Sequence, residues 1–296
     1  MSDKTVPANT PETLGVTPRY VLQHNAISRS AHNFSATAKK LTAMAMALLP
    51  ADLSNLTVAF TFTEFCKALG YTKSGESFKI FLTALKECLN NVISLEIVSP
   101  TTGKKKWENY TWFTASVFDE ETGVATMTFS PKFAAALQDL KRVYAKIHLQ
   151  DLGELQSKYA LRIFEMAVSY ESLKGKDGNK SESWYFERSI PELRFMFGIP
   201  EDAYPETKRF RQKVIEEPVE EINQAGIGVK IKTEGIKQGR RLAALRFNCE
   251  KAARTIPAKK RGRSGKKAES QLELPDQNPA KARQEKELEH LKELYP

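Results

Sequence analysis

The chain is short of cysteine and histidine and has no long apolar run, and each shortage removes a class of function. Three cysteines in 296 residues, Cys66, Cys88 and Cys249, are odd in number and far apart. They fit free thiols in a reducing cytoplasm rather than a disulfide framework or a zinc cluster. The four histidines, His24, His32, His148 and His290, stand apart from one another. Without a close His pair and a nearby carboxylate there is no nuclease metal site, which also counts against a rolling-circle nickase. No G-x-x-x-x-G-K-[ST] phosphate loop occurs, so an NTPase has no support. No cysteine has a recognisable base partner. The longest apolar candidate, residues 41–49, is alanine-rich and far below the ~20 residues of a membrane span. The N-terminal MSDKTVPANTPETLG lacks the basic-then-apolar order of a secretory signal. The expectation is a cytoplasmic protein that is not an enzyme and needs no metal or cofactor.

What is present is positive charge. The net charge is +9, with a pI near 9.3, and such a balance favours a polyanionic partner. The charge is unevenly placed. Residues 251–267 carry eight basic side chains and no acid, while residues 268–296 carry four basic and seven acidic ones. That leaves +4 for residues 1–250, so a nucleic-acid footprint on the folded part must come from clustering.

Hydrophobic spacing and stop signals divide the chain into two similar halves. Residues 1–18, rich in Pro and Thr, are expected to be a disordered tail. After an extended piece at 19–27, a helix is predicted over 35–49, with Ser35 as N-cap and Pro50 as stop. A strand at 58–62 leads into Thr63, a candidate cap for a short helix that Gly70 ends. A turn at 73–75 and a helix to about Asn91 follow, then a strand at 93–98, a turn at 99–103 and a strand at 107–118. A loop at 119–123, a strand at 124–129 and a helix over 131–144 complete the half. The second half opens on a helix at 157–170, followed by a polar loop at 174–183 and a strand at 184–186. Ser189 then caps a helix ending near Gly198, with Pro191 and Glu192 in its first turn. Helix, strand, helix, turn, helix and sheet is winged-helix order in both halves. The fold class expected is therefore α+β, two tandem winged-helix domains between disordered N- and C-terminal tails. The first domain is placed at 19–148 and the second at 149–250. Residues 251–296 form a basic and then charged tail, whose KARQEKELEHLKELYP has the charge spacing of a solvated helix.

Residues 189–248 carry the candidate chemistry. A helix is expected at 206–223, and at about 100° per residue Phe210, Val214 and Ile222 share one side, with Ile215 flanking. Arg209, Gln212, Lys213 and Glu216 fall opposite, with Lys208 at the margin. Lys and Arg suit guanine O6/N7 and Gln suits adenine, so this face fits a major-groove reader. Arg211 turns toward the apolar side, where its stem can pack while its head reaches a phosphate. Pro218 is expected to kink the helix beyond the reading half, and the distal half, crowded by Glu216, Glu217, Glu220 and Glu221, is expected to point away from DNA. A hairpin follows, 228–234 and 241–248, around a glycine-bounded turn with Lys237, Gln238 and Arg240. Val229 and Ile231 alternate inward, leaving Lys230 and Lys232 outward. Lys230, Lys232, Lys237, Arg240 and Arg241 are the candidate backbone contacts of this wing. Trp107, Tyr110 and Trp112 read as core or interface aromatics.

Together LQHNAISRS, SKYALRIFEMAVSY, IPELRFMFGI, KRFRQKVIEEPVEEIN and KQGRRLAALRF resemble the replication initiators of iteron-containing, theta-replicating plasmids. The resemblance spans residues 21–248. It implies an N-terminal winged helix used mainly for dimerisation and a C-terminal one that reads repeated origin sites. It implies further that monomers bind directly repeated iterons in double-stranded DNA, and that dimers repress the protein's own promoter at an operator. A host replication initiator and a replicative helicase would be recruited, in a bacterial, plasmid-encoded setting without a membrane. Family members carry basic residues after the phenylalanine that matches Phe210; here the run is Arg211-Gln212-Lys213, so Gln212 departs from a fully basic cluster. The residues alone leave a winged-helix transcriptional repressor as the alternative. They also leave open a DNA contact by the first module, through Lys79, Lys86 and the turn at 104–106.

Overall fold

Hydrogen-bonded caps decide where the helices begin. The computed structural model describes residues 17–98, 102–139, 144–171, 182–239 and 241–255. It opens on β1 (Tyr20–His24) and a short α1 (Asn25–Arg29), whose first turn is capped where the Ala26 amide donates to His24 Nδ1 at 3.0 Å. Ser35 caps α2 (Ala36–Leu48) by accepting from the Ala38 amide. After β2 (Thr57–Thr61), α3 (Phe62–Leu69) starts one residue after Thr61 and not after Thr63. Thr61 and Glu64 form a reciprocal capping box that satisfies two otherwise orphaned amides, which Thr63 cannot do from inside the first turn. Gly70, at φ 70°, ends α3 in the left-handed region that a glycine enters without a Cβ penalty. Ser74 then caps α4 (Gly75–Asn90).

The predicted strand at 107–118 is two strands in different sheets. β3 (Val92–Val98) pairs antiparallel with β4 (Lys105–Thr111), whereas β5 (Phe113–Asp119) pairs with β6 (Val124–Phe129). The break falls at Trp112, a fully buried side chain packed on His32, Phe34 and Phe133 with ring centroids 5.0–5.5 Å away. Burying that indole takes the residue out of both ladders. The predicted helix at 131–144 does not reach Tyr144: α5 is described over Pro131–Asp139, and Tyr144–His148 is a strand, β7, paired with β1. Most of the turn at 99–103, residues 140–143, most of the loop at 174–183, and both tails (1–16 and 256–296) lie outside the described residues.

The second half follows the same plan. α6 (Leu149–Glu154) and α7 (Lys158–Glu171) lead to β8 (Ser183–Ser189) and α8 (Ile190–Met196), where Ser189 and Glu192 make a second capping box. Then come α9 (Thr207–Phe210), a π-helical turn (Arg211–Glu216), α10 (Glu217–Gln224), β9 (Ile227–Gln238) and β10 (Arg241–Arg254). The sheets have orders β2-β6-β5 and β8-β10-β9, so the third strand of each module lies between the first and second. This shared order is the winged-helix sheet; β3 and β4 are an extra hairpin inserted in the first module. The glycine-bounded turn expected in the second hairpin is displaced: β9 runs through Gly235 to Gln238, and the reversal comes at Gly239, φ 64°. β10 continues to Arg254, so residues 251–254 belong to the sheet rather than to the tail. There Lys251 pairs with Glu171 at 3.4 Å and Arg254 with Asp151. Burial pushes the Asp151 carboxyl up to about 6 despite the Arg254 beside it.

α7 is the element on which the modules meet, since one side packs on α1 and α2 and another on β8 and α10. Nine of its residues are buried, among them Arg162 and Glu165. The Arg29 guanidinium donates to Ser169 Oγ and O and lies 3.9 Å from the Tyr170 ring centroid. Trp107, 40% exposed on β4, meets Phe195 of α8 edge-on at 4.8 Å.

Candidate nucleic-acid interface

The helical segment at 207–224 is bound to the core by Phe210, Val214, Ile215, Val219 and Ile222, four of them at 0% exposure and Val219 at 6%. Burying side chains of this size contributes roughly 1.5–3 kcal/mol each. With that face fixed, Lys208, Arg209, Gln212 and Lys213 are all exposed, and Arg211 is half-buried, with its Nε enclosed and its head at the surface.

The expected kink is a π turn. The Glu217 amide donates to the Gln212 carbonyl, five residues back. Pro218 has no N–H, and its ring would crowd the carbonyl of Val214 in a regular helix; widening the preceding turn relieves that crowding. The wheel already sets Glu216 on the basic face, and the wider turn brings Glu217 there as well, so this part of the acidic half does not point away from the cations. Glu216 accepts from Arg211 Nη2 at 2.7 Å, and Glu217 Oε1 accepts from Lys213 Nζ at 2.7 Å and Gln212 Nε2 at 3.3 Å. These acids therefore lie along the basic face. Glu221 turns the other way and caps α7, accepting from the amides of Gln156 and Ser157. Among the described residues, Lys208 and Arg209 have no acidic partner within ion-pair distance.

The register of the wing sorts its cations onto two faces. Val229 and Ile231 are buried, as alternation predicts, and Lys230 and Lys232 are exposed on the opposite face. That outer face is mixed in sign, because Lys230 stands opposite Glu250, and Arg246 stands between Glu187 and Glu234. Arg246 pairs with Glu187 at 2.7 Å, and that hydrogen bond holds the guanidinium pKa above its ordinary value. Lys230 Nζ donates to the Asn223 carbonyl at the end of α10, a favourable place for a cation. Lys237 lies in the other row, on the side where the 207–224 segment packs, and Arg241 is exposed opposite Gln238 near the tip. Arg240 lies outside the described residues.

Two side chains that the sequence patterns did not single out hold this geometry. Asn223 Nδ2 donates to the Ile231 carbonyl at 2.9 Å, and its Oδ1 accepts from the Ile231 amide at 2.8 Å, tying the helix end to the wing base. Arg194 donates to the carbonyls of Pro200, Ala203 and Tyr204 and lies 4.8 Å from the Phe210 ring centroid, so it clamps the turn before the helix. An Asn near a helix end and an Arg in an amphipathic helix are common enough to carry no signal by type alone. Among the described residues, no group of three or more His, Cys, Asp or Glu could hold a metal ion, and no helix is long and apolar enough to cross a membrane.

Two family descriptions match the chain, "Initiator Replication protein, WH1" over residues 20–168 and "Initiator Rep protein, WH2" over residues 189–249. The chain belongs to the initiator replication protein family. The initiator's fold is shared by the Pi initiator protein, solved in complex with iteron DNA. At a TM-score of 0.61 and 15% identity, that likeness covers 80% of this chain and 99% of the other. Two structures of RctB domains 2 and 3 are weaker likenesses. One has a TM-score of 0.40 at 10% identity and covers 73% of this chain and 80% of its own; the other has 0.36 at 11%, covering 80% and 93%. No curated protein matches the initiator by sequence.

Proposed function

We propose that this initiator starts plasmid DNA replication by binding iterons in double-stranded origin DNA through its second winged helix. The observation that carries the reading is a recognition helix whose apolar side is locked in the core while Lys208, Arg209, Gln212 and Lys213 face solvent. Arg211 adds a backbone contact. Lys237 and Arg241 reach the flanking phosphates from the wing, joined by Arg240; Lys230 and Lys232 contribute longer-range attraction from its mixed-charge outer face. The fold shared with the Pi initiator protein, whose structure holds iteron DNA, supports the same reading.

Residues 19–148 serve mainly in dimerisation and residues 149–250 in sequence reading. Monomers bind iterons, and dimers in equilibrium with them repress the protein's own promoter in the bacterial cytoplasm. Opening the origin draws on binding energy and no covalent step. Several protomers bend the DNA at about 1–6 kcal/mol per site, offset by their contacts, and a host initiator and helicase then enter. A footprint on the DNA flanking its gene tests this. Several protected direct repeats are the expected result; a lone inverted repeat would instead make the protein a transcriptional repressor.

A further inference from the structure

The pairing of the recognition cations is selective. Lys208 and Arg209, on the α-helical turn, are exposed and carry no acidic partner among the described residues, whereas Arg211 and Lys213, on the π turn, each meet a glutamate at 2.7 Å. In an α-helix a residue and the fifth one after it point in different directions; in a π turn, closed by bonds to the fifth residue, they stack. That stacking sets Glu216 over Arg211 and Glu217 over Gln212, with Glu217 also reaching Lys213. All four ionised groups remain between 38% and 49% exposed, so DNA and glutamate can reach the same cations.

We infer that Glu216 and Glu217 are specificity-determining residues that compete with phosphate for Arg211 and Lys213, and that Glu217 releases Lys213 for a base edge. This rests on the proposal that the 207–224 segment enters the major groove. A phosphate that takes Lys213 must displace Glu217 and then lie beside its negative charge. A guanine edge offers two neutral acceptors, so the cation can turn to it while the carboxylate stays close. The glutamates therefore penalise random DNA more than the cognate repeat, while unpaired Lys208 and Arg209 supply attraction common to both. Discrimination comes here from a repulsive element added to an attractive one.

The test uses the full chain, one footprinted repeat as a duplex, and a shuffled duplex of equal length and composition. Glu217→Gln keeps the shape and removes the charge. It is expected to tighten binding to the shuffled duplex by about two- to five-fold, the range set by one exposed ion pair. The slope of log K against log salt on that duplex should steepen by about one unit. Binding to the repeat should change less, so the ratio of the two affinities falls. Lys213→Ala measured in parallel separates the two levels of the argument. If Lys213→Ala weakens binding but Glu217→Gln leaves the shuffled duplex unchanged, the filter is refuted and the recognition helix stands. If Glu217→Gln weakens the repeat alone, Glu217 reads a base and the filter is refuted as well. If Lys213→Ala changes neither duplex, the recognition-helix reading falls and the filter with it.

Discussion

Replacing Glu165 by glutamine removes the only anion from a buried charge cluster on α7, and the consequence can be worked from the contacts. Lys39 Nζ lies 3.0 Å from Glu165 Oε1 and Arg162 Nη1 lies 3.4 Å from Glu165 Oε2, with every side chain at 5% exposure or less. Arg162 also donates to the carbonyls of Ser28 and Ser30 at the C-terminal end of α1, so the cluster joins the two modules. Breaking a buried pair from one side costs about 3–5 kcal/mol, because the surviving charge is left in a medium that solvates it poorly. Here two cations survive. At about 2–4 °C per kcal/mol for a body of this size, the melting temperature should fall by roughly 6–20 °C. The two partners are not equivalent. Burial pulls the Lys39 amine down, and with Arg162 it outweighs the pull of Glu165, so the charge is disfavoured where it sits. Lys39→Met removes the surplus cation and leaves Arg162 and Glu165 matched; its cost should stay below about 1.5 kcal/mol. Adding Lys39→Met to Glu165→Gln should recover part of the loss. Thermal unfolding followed by the fluorescence of Trp112, which lies 5.6 Å from Lys39 Nζ, reads all three variants. A Glu165→Gln cost under 1 kcal/mol, or a Lys39→Met cost equal to it, would refute the charge count.

Three further outcomes are expected. Lys213→Ala should cost about 1–3 kcal/mol on a footprinted repeat if it reads a base; an equal loss on random DNA in a binding titration would reassign it to phosphate. Lys40 is fully buried, and burial lowers its amine from 10.5 to about 8 against the pull of Glu221 and Glu154. Between those values the unfolded chain binds a proton that the folded chain does not, so this lysine makes stability rise with pH there, by up to about 3 kcal/mol. Lys40→Met should therefore stabilise the protein below pH 8 and flatten that rise in urea midpoints taken at pH 7 and 10; an unchanged pH profile would count against it. Gly153→Ala would drive a Cβ into the Leu69 carbonyl, with the carbonyl carbon at 2.9 Å. Backbone cannot yield there as a side-chain tip would, so a loss of about 1–3 kcal/mol is expected in urea unfolding, and a neutral result would show that α6 shifts freely.

Features that depend on neighbours a few residues apart were legible in the sequence. Ser35 and Ser189 cap the helices they were expected to cap, and Gly70 stops α3. Phe210, Val214 and Ile222 share the buried side, and Lys208, Arg209, Gln212 and Lys213 the exposed one, because a helix's apolar stripe is written in its own spacing. The repeated winged-helix order follows from the same local signals taken in series.

What the sequence left undecided depends on partners far along the chain. Tyr144 was expected to end a helix, yet Tyr144–His148 is a strand because its ladder partner is Tyr20–His24, over a hundred residues earlier. The run from 107 to 118 has one strand propensity and two sheets, since only the pocket formed by His32, Phe34 and Phe133 requires Trp112 to turn inward. At the interface, a regular wheel set Glu216 among the basic residues but could not foresee the π turn that joins it to Arg211 and brings Glu217 onto the same face, and alternation alone could not set Lys237 and Lys230 on different sides of a wing whose reversal point was misplaced. The sequence by itself determined which residues line each helix and that two winged helices follow one another. Tertiary structure decided which strands pair, where the recognition helix widens and which cations are free, because those outcomes depend on groups brought together only by folding.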